Sequence, residues 1–235
     1  MFLDTAVDEA ENKVEVKIKE GCLRESKRNR NSVYAVSKRA FDICASAVAI
    51  VLLSPVLLII SAIVYLGDPG PVIYGQVRIG KNGKAFKMWK FRSMYKNADK
   101  MIGQLTDEQR RQYITEFKID DDPRITPVGS FLRKTSLDEL PQLFNVMCND
   151  MSLVGPRPLI ESEIQTYYAD MFDTLLSVKP GVTGYWQAYA RNNATYQSGQ
   201  RQQMELYYIH NASAWLDIKI LSKTVISVLK RKGAK

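Results

Sequence analysis

One long apolar segment dominates the hydrophobic pattern of the chain. Residues 41–66 are almost uninterrupted in apolar side chains, and no charged residue lies between Asp42 and Asp68. A membrane-crossing helix needs about 20 apolar residues, so this segment is long enough to reach deep into a bilayer. Ser54-Pro55 lies at its centre, where proline removes a backbone donor and clashes with the preceding turn. The pattern therefore predicts a break or a strong kink of the helix at Ser54-Pro55.

Basic residues flank both ends of this segment. Six basic residues and one acidic residue occupy positions 24–39, and further lysines and arginines follow between residues 78 and 92. Because basic flanks favour the cytoplasmic side, both ends are expected in the cytoplasm. We therefore predict a re-entrant membrane helix over residues 33–68, which enters the membrane, bends and returns. A full span and a kinked helix buried in a soluble core are the alternatives.

The chain beyond this segment predicts short elements of both kinds. Residues 72–74 and 85–89 are typical of two short strands around a turn at residues 80–83. The polar residues 93–118 carry apolar side chains at helical spacing and predict a surface or interfacial helix. The prolines and the glycine of residues 120–133 predict a loop.

The C-terminal residues 215–229 place lysines among apolar side chains. Such a pattern is typical of an amphipathic helix at a membrane interface, or of a helix that completes a soluble core. Together the elements predict an α+β, mostly helical, monotopic membrane protein with a small β-hairpin and interfacial amphipathic helices. The expected organisation is a polar N-terminal extension over residues 1–32, the membrane-inserted re-entrant helix over 33–68 and a cytoplasmic catalytic domain over 69–235.

Charge and composition narrow the classes of partner and site. The chain has 33 Lys and Arg residues against 25 Asp and Glu residues, a formal net charge of +8. That balance suits nucleic acid, a phosphorylated substrate or anionic lipid, without choosing among them. Three widely separated cysteines and the single His210 indicate neither a disulfide framework nor a metal site built on several histidines. The acidic first residues are unlike a secretory signal, so no cleaved targeting peptide is expected.

The segment around Asp138 and Glu139 is the sharpest local feature. Apolar residues from 140 to 147 follow at helical spacing, and Pro141 suits a first turn, so we predict a helix that starts near Asp138. The acids then cap this helix, either through Asp138 or through a capping box of Ser136 and Glu139. In the functional alternative, the amide-rich helix end holds a substrate phosphate beside a carboxylate nucleophile and a metal ligand.

Cations and aromatic side chains on stiff segments supply candidate binding residues. Arg157 stands between two prolines, a rigid support suited to bidentate phosphate recognition or merely a turn with an exposed arginine. Residues 179–187 form a second stiff loop, whose aromatic residues stack on a base or sugar or pack in the core. Residues 90–94 and 122–126 add cations beside short polar side chains. The candidates for substrate binding are Lys90, Arg92, Arg124, Arg157, Trp186 and Gln187.

Taken in order, these segments resemble one family, the bacterial sugar transferases that act as monotopic polyprenyl-phosphate phosphoglycosyl transferases. The resemblance runs from about residue 36 to about residue 232, and several blocks in one fixed order form a specific signal. The blocks are Lys38-Arg39-Phe41-Asp42, Ser54-Pro55, Lys90-Phe91-Arg92-Ser93-Met94, Asp122-Pro123-Arg124-Ile125-Thr126, Leu132-Arg133, and residues 136–143, 149–159, 179–187 and 215–221.

The resemblance implies an enzyme that moves a sugar 1-phosphate from a UDP-sugar to polyprenyl (undecaprenyl) phosphate and releases UMP. This reaction is the first membrane step of exopolysaccharide, O-antigen or glycoprotein glycan synthesis. By this similarity Asp138 is the nucleophile, which forms a covalent aspartyl-phosphosugar intermediate, and Glu139 is its partner acid and the ligand of Mg²⁺. Arg157 matches a substrate-binding arginine, and Arg133 and Arg191 join the candidates for substrate binding.

The resemblance also implies a place and a set of partners. The expected location is the cytoplasmic face of the bacterial inner membrane. UDP-sugar, polyprenyl phosphate and membrane lipid are the expected partners, nucleic acid is not, and a homo-oligomer is left open. The chain resembles the catalytic unit alone, without the four-helix membrane region at the start of the larger family members. Which sugar is transferred stays open.

Two positions depart from the family pattern, and two other function classes remain. Glu205 stands where an aspartate is common and Ala190 replaces a usual glycine, changes that could reshape the sugar or nucleotide pocket. A noncatalytic membrane adaptor, in which the acidic pair is only a cap, is one alternative. A basic nucleic-acid-binding protein is the other, but it lacks a recognition pattern and leaves residues 41–66 unexplained.

Overall fold

The computed structural model describes residues 32–116, 119, 121–190, 196 and 198–229, so the predicted N-terminal extension lies almost wholly outside the described residues. Its first element, α1, is one continuous helix over Ser32–Gly67 with Pro55 inside it. Of the two predicted outcomes at Ser54-Pro55, a break of the helix is therefore wrong, and a strong kink stays a prediction. Proline removes one N–H donor and crowds a carbonyl one turn back, which can bend a helix without ending it. A re-entrant path through a membrane stays a prediction.

The apolar side chains of α1 are largely exposed. By length and composition α1 is the one helix among the described residues that could cross a membrane, and only 11% of its most apolar stretch is buried. Val51, Leu52 and Leu58 are each more than 70% exposed. A helix in a soluble core would bury most of such side chains. This exposure argues against the alternative of a kinked helix inside a soluble core.

The predicted hairpin is confirmed, with longer strands than expected. β1 (Ile73–Ile79) and β2 (Ala85–Phe91) form a two-stranded sheet around a 3₁₀ turn over Lys81–Gly83. β1 continues through Arg78, whose Nη1 donates to the buried carboxylate of Glu163 at 2.9 Å. The sequence does not predict this part of the strand, because a buried arginine interrupts the alternation of apolar and polar residues that is expected of a strand.

The single polar helix predicted over residues 93–118 is wrong. The chain instead forms a 3₁₀ turn over Lys100–Gln104 and the helix α2 over Asp107–Glu116. Thr106 separates the two, since its N–H donates to the side chain of Gln109 at 3.1 Å and its hydroxyl accepts the Gln109 N–H at 3.2 Å. This reciprocal pair of hydrogen bonds is a capping box, which starts a new helix.

The loop predicted over residues 120–133 ends earlier than expected. Helix α3 spans Pro127–Thr135, and Thr126 caps it by accepting the Gly129 N–H at 2.8 Å. Proline is favoured at the first helical position, because its missing N–H would find no partner there in any case. Pro127 therefore begins a helix where the sequence predicts a continuing loop.

The described residues form two compact units. The first contains Gly75–Trp89 together with the described residues before 53 and after 141, and the second contains Leu53–Tyr74 and the described residues from 90 to 141. In the second unit Ile60 and Val64 of α1 pack with Phe91 and Leu132. The prediction of one cytoplasmic domain over residues 69–235 stays a prediction.

Two loops of the first unit pair as strands. β3 (Ser152–Val154) and β4 (Gly181–Thr183) run parallel. A Cβ on Gly155 would lie 2.7 Å from the main-chain nitrogen of Gly181, and a Cβ on Gly184 would meet the main-chain oxygen of Gly155. Glycine alone permits this close approach of backbones. Strands of three residues are too short to show an alternating pattern, so the sequence predicts only stiff turns here.

Six α-helices complete the first unit, and the last five of them contribute side chains to its main core. They are α4 (Gln142–Met147), α5 (Glu161–Tyr167), α6 (Phe172–Leu176), α7 (Tyr185–Ala190), α8 (Gln200–Asn211) and α9 (Ala214–Leu229). α9 buries Ile220 in that core and exposes Trp215, Ile218 and Ile226. The C-terminal helix thus completes a core, and its exposed apolar side chains are consistent with the predicted interfacial position.

Candidate active site

Asp138 and Glu139 lie in a 3₁₀ turn over Leu137–Glu139, directly after α3. Ser136 ends α3 in the left-handed conformation, with φ 58°, which turns the chain before the acidic pair. The helix predicted to start near Asp138 is therefore wrong by about one turn, because α4 begins only at Gln142. A tight turn, and not the end of an α-helix, presents the two carboxylates.

Asp138 is a buried carboxylate with a cation beside it. Its exposed fraction is 7%, and the Lys90 Nζ lies 3.9 Å from its Oδ2. The same ammonium group donates to the Glu139 Oε1 at 2.8 Å. Burial raises the pKa of Asp138 to about 6; Lys90 opposes this rise and Glu139 adds to it. A poorly hydrated carboxylate that ionises below neutral pH suits a nucleophile.

Arg133 adds a second cation to the acidic pair. Its Nε donates to the Ser93 hydroxyl at 2.8 Å. Burial lowers the pKa of Arg133, and attraction to Asp138 works in the opposite direction. The second unit therefore brings together Asp138, Glu139, Lys90 and Arg133. Two carboxylates on a partly buried turn, with one cation from β2 and one from α3 beside them, can hold a phosphorylated substrate and stabilise the charge that develops on it.

Arg124 and Arg92 are held by partners of their own. Arg124 donates to both carboxylate oxygens of Asp122, through Nε at 2.8 Å and through Nη2 at 2.7 Å. These hydrogen bonds raise the pKa of Arg124. Arg92 donates to the main-chain oxygen of Asp68, just after the end of α1. Both guanidiniums stabilise the fold of the second unit, and their predicted roles in substrate binding stay predictions.

The first unit holds Arg157, Trp186 and Gln187. The main-chain N–H of Arg157 donates to the Glu205 Oε1 at 3.1 Å, and its guanidinium carbon lies 5.9 Å from the centre of the Trp186 ring. The Gln187 Oε1 is buried and has no hydrogen-bond partner within the described part of the chain. Arg191 lies outside the described residues. Of the candidates in this unit, the structure brings Arg157 and Trp186 together.

Arg201 accompanies this group and has no predicted role in the sequence. It lies four residues before Glu205 on α8, and both side chains are buried. The Arg201 guanidinium carbon is 4.0 Å from the centre of the Trp186 ring. Burial raises the pKa of Glu205 to about 7, while the hydrogen bond from Arg157 holds the rise back. Opposite charges four residues apart are common on exposed helices, so this spacing alone does not single the pair out.

Buried carboxylates fix the N-terminal part of α1 to the first unit. Asp217 of α9 accepts hydrogen bonds from the Tyr34 hydroxyl at 2.9 Å, the Lys38 Nζ at 2.7 Å and the Tyr208 hydroxyl at 2.8 Å. Asp42 of α1 accepts two more from the start of β3. These contacts join the first and last blocks of the family resemblance, which the sequence alone does not connect.

Sequence comparison places these residues in a family. The profile of the family described as bacterial sugar transferase matches residues 33–231. The chain is 46% identical over 200 residues to the undecaprenyl-phosphate galactose phosphotransferase of Salmonella typhimurium, covering 84% of this chain and 41% of that protein. It is 47% identical over 202 residues to an uncharacterized sugar transferase of Haemophilus influenzae, covering 85% of this chain and 42% of that protein.

A shorter relative is covered almost throughout. The exopolysaccharide production protein ExoY of Sinorhizobium fredii is 40% identical over 202 residues, covering 85% of this chain and 88% of that protein. The chain spans about two fifths of the length of the Salmonella and Haemophilus relatives. The family match begins within α1 and extends past the end of α9, so it includes the acidic pair and the arginines of both units. The chain therefore belongs to the bacterial sugar transferase family.

Proposed function

We propose that this protein is a phosphoglycosyl transferase, which moves a sugar 1-phosphate from a UDP-sugar onto polyprenyl (undecaprenyl) phosphate and releases UMP. The reaction would be the first membrane step of exopolysaccharide, O-antigen or glycan synthesis. The observation that carries the proposal is the buried Asp138, with Lys90 3.9 Å away and Glu139 next in sequence. Family membership and the name of the Salmonella relative, an undecaprenyl-phosphate galactose phosphotransferase, support the same reaction.

The reaction is a double displacement at one phosphorus atom. An Asp138 oxygen bonds to the phosphorus that carries the sugar, the bond from that phosphorus to the bridging oxygen breaks, and UMP leaves with the electron pair. An oxygen of polyprenyl phosphate then attacks the aspartyl-phosphosugar, and the Asp138 carboxylate leaves. Each step forms one P–O bond and breaks one, so no oxidant or reductant is needed.

The charges around Asp138 fit this chemistry. A diphosphate is densely negative, so a carboxylate approaches it only where cations offset the charge of the oxygens. Lys90 and Arg133 are such cations, and both work to lower the pKa of Asp138 against the effect of burial. At neutral pH Asp138 is then ionised, and burial leaves it poorly solvated. In this proposal Lys90 is a substrate-binding residue. Its ammonium group bridges the carboxylates of Asp138 and Glu139, and it therefore lies where the substrate phosphate must approach Asp138.

Mg²⁺ is part of the proposal, with Glu139 as its protein ligand. Mg²⁺ prefers oxygen ligands and commonly uses one or two carboxylates together with substrate phosphates. The described residues contain no group of three or more metal-ligating side chains, so most ligands would come from substrate and water. The adjacent carboxylates fit such a site, because Glu139 works to raise the pKa of Asp138 and a cation relieves that repulsion. When bound, the ion neutralises phosphate oxygens.

The other predicted binding residues also belong to this proposal. Arg157, Trp186 and Gln187 are assigned to substrate binding, and Arg191 is assigned with them from the resemblance alone. Arg92 and Arg124 complete the set, although each guanidinium already holds a carboxylate or carbonyl partner. If these assignments are correct, a substrate phosphate competes with these partners for the two guanidiniums.

The reaction is proposed to take place at the cytoplasmic face of the bacterial inner membrane. The acceptor phosphate lies at the headgroup level, so the enzyme must be held there. A re-entrant α1 with both ends in the cytoplasm would do so, and the basic flanks on both sides favour that path over a full span.

Cysteine labelling tests the path of α1. In a background without the three native cysteines, Val33→Cys and Lys81→Cys each place one thiol at an exposed position on either side of the apolar segment. We expect an impermeant maleimide to label both variants in inside-out vesicles and neither in right-side-out vesicles. Labelling of the two variants from opposite faces would replace the re-entrant path with a span.

The proposed reaction is tested by UMP release. Purified protein in nanodiscs is incubated with Mg²⁺, undecaprenyl phosphate and a panel of UDP-sugars, and free UMP is measured with a control lacking the acceptor lipid. We expect sustained UMP release with one or two of the donors, dependent on the lipid. Folded, membrane-inserted protein that releases no UMP from any donor would contradict the proposal and favour a noncatalytic adaptor.

A further inference from the structure

The Arg201 side chain is held between two aromatic rings in the first unit. Its guanidinium carbon lies 4.0 Å from the centre of the Trp186 ring and 4.0 Å from the centre of the Tyr196 ring. Arg157 lies over the same indole at 5.9 Å. Aromatic faces attract guanidinium groups, and such contacts strengthen where water is excluded. Two guanidiniums therefore share one buried tryptophan.

The cluster around these residues has more cations than anions. Arg78 lies close enough for mutual repulsion with Arg157 and is paired with Glu163 at 2.9 Å. Glu205 is the second acid, and its raised pKa of about 7 means that only part of it is ionised at neutral pH. Three arginines thus face one paired carboxylate and one partly protonated acid among the described residues. Buried charge of one sign is costly unless a counter-charge is present.

Several guanidinium N–H groups in this cluster lack a partner. The Nε and Nη2 of Arg201, the Nε of Arg157 and the Nε of Arg78 are buried without a hydrogen-bond acceptor in the part of the chain that the structure describes. The Glu205 Oε2 is equally without a partner there, and it becomes a donor when protonated. A group of buried donors around excess positive charge is the environment that an anionic acceptor would complete.

We propose that Arg157 and Arg201 together bind a phosphate group of a substrate, with Trp186 and Tyr196 holding the Arg201 guanidinium in position. The proposal deepens the proposed function, on which it rests for the phosphorylated ligands. A planar guanidinium presents paired donors that match phosphate oxygens, which an ammonium group does not. Glu205 acts as a positioning residue, because it fixes the main chain of Arg157 at 3.1 Å.

The phosphate could come from the nucleotide or from the acceptor lipid. UMP and undecaprenyl phosphate therefore serve as separate probes, and inorganic phosphate serves as a third probe without base, sugar or lipid. Binding is measured on the full chain in nanodiscs by calorimetry for UMP and inorganic phosphate, and by retention of labelled undecaprenyl phosphate. The variant is Arg201→Gln, and the matched control is Arg110→Gln, an exposed arginine on α2.

We expect Arg201→Gln to weaken binding of UMP or of undecaprenyl phosphate by about 10- to 100-fold, the range for a lost hydrogen bond to a charged group. The probe that loses affinity names the source of the phosphate. The control variant is expected to bind as the wild type does. A folded Arg201→Gln protein that binds both substrates with wild-type affinity would overturn the proposal.

A second measurement needs no change at Arg201, which matters because a buried variant can misfold. The chain has three tryptophans, so 5-fluorotryptophan labelling of the wild type gives fluorine resonances that single Trp→Phe variants assign. We expect saturating UMP or undecaprenyl phosphate to shift the Trp186 resonance. A Trp186 resonance unchanged by either ligand would also overturn the proposal.

The UMP-release assay separates this inference from the proposed function. Normal transfer by wild type, together with unchanged substrate binding by Arg201→Gln, would remove the phosphate site and leave the function standing. Phosphate-ligand binding that depends on Arg201, in a protein that releases no UMP from any donor, would support the site and contradict the function.

Discussion

Replacing Asp138 with asparagine is expected to lower the rate of UMP release at least about 10⁴-fold, as removal of a catalytic nucleophile does in other enzymes. Asparagine has nearly the same size and shape, but its neutral amide oxygen cannot form the aspartyl-phosphosugar. The measurement is UMP release in nanodiscs with the preferred donor. Because Asp138 is 7% exposed, an isosteric replacement is needed to keep the turn intact.

The stability of Asp138→Asn is also expected to depend on pH differently from that of the wild type. The pKa of Asp138 is raised from 3.8 to about 6 by burial, so the native state prefers the protonated acid. The associated stability is fully present below about pH 4 and is lost as the pH rises through about 6. Over that window the wild type should lose up to roughly 3 kcal/mol relative to Asp138→Asn, which has no proton to lose there.

Asp107→Asn is the matched control, since Asp107 lies exposed at the start of α2. It should transfer sugar phosphate at the wild-type rate. Unfolding curves at several pH values establish that Asp138→Asn is folded before its activity is compared. Full transfer by folded Asp138→Asn would refute the nucleophile assignment and leave the acidic pair with a structural role.

Asp217→Ala is expected to lower the free energy of unfolding of the first unit by about 3–5 kcal/mol, the usual cost of removing one partner of a buried ion pair. Asp217 is 7% exposed and accepts hydrogen bonds from Lys38, Tyr34 and Tyr208. Without it, the Lys38 ammonium is left partly buried and without its carboxylate. Denaturant unfolding in detergent micelles measures the loss.

Asp170→Ala controls for the loss of an aspartate, because Asp170 is exposed. It should change stability by no more than about 0.5 kcal/mol. Lys38→Met in the Asp217→Ala background should restore part of the stability, since it removes the unpaired charge. Equal stability of Asp217→Ala and Asp170→Ala would show that this carboxylate does not hold α1 to the first unit.

Strong local signals explain what the sequence predicts correctly. The hairpin follows from two apolar runs around glycines, and α1 follows from the length of residues 41–66. The sequence singles out the acidic pair and Lys90 in separate segments, and the structure brings Lys90 within 3.9 Å of Asp138. The types of these residues and their order along the chain are enough to identify them, because both are part of the family blocks.

Errors arise where weak local signals compete. Pro55 predicts a break or a strong kink, and the helix continues through it without a break. Pro127 suggests a loop, yet with Thr126 as a cap it begins α3. The acidic pair lies in a 3₁₀ turn because Ser136 adopts a positive φ. A serine in the sequence does not predict this conformation, since residues other than glycine seldom adopt it.

Local sequence patterns do not predict the cluster around Arg201. Arg201, Tyr196 and Trp186 are separated along the chain and meet only when α7 and α8 pack. A buried arginine is uncommon, so a sequence reading places it on the surface by default. Parallel pairing of β3 with β4 has the same origin, since it joins segments almost thirty residues apart.

The close backbone approach at Gly155, Gly181 and Gly184 limits how this protein can be redesigned. A randomised library aimed at a new donor sugar would naturally target the loops that follow β3 and β4. Any side chain at these three glycines would collide with main-chain atoms, so most members of such a library would fail to fold. Holding the three glycines constant while varying residues around Trp186 and Glu205 would confine the diversity to positions where a side chain can be accommodated.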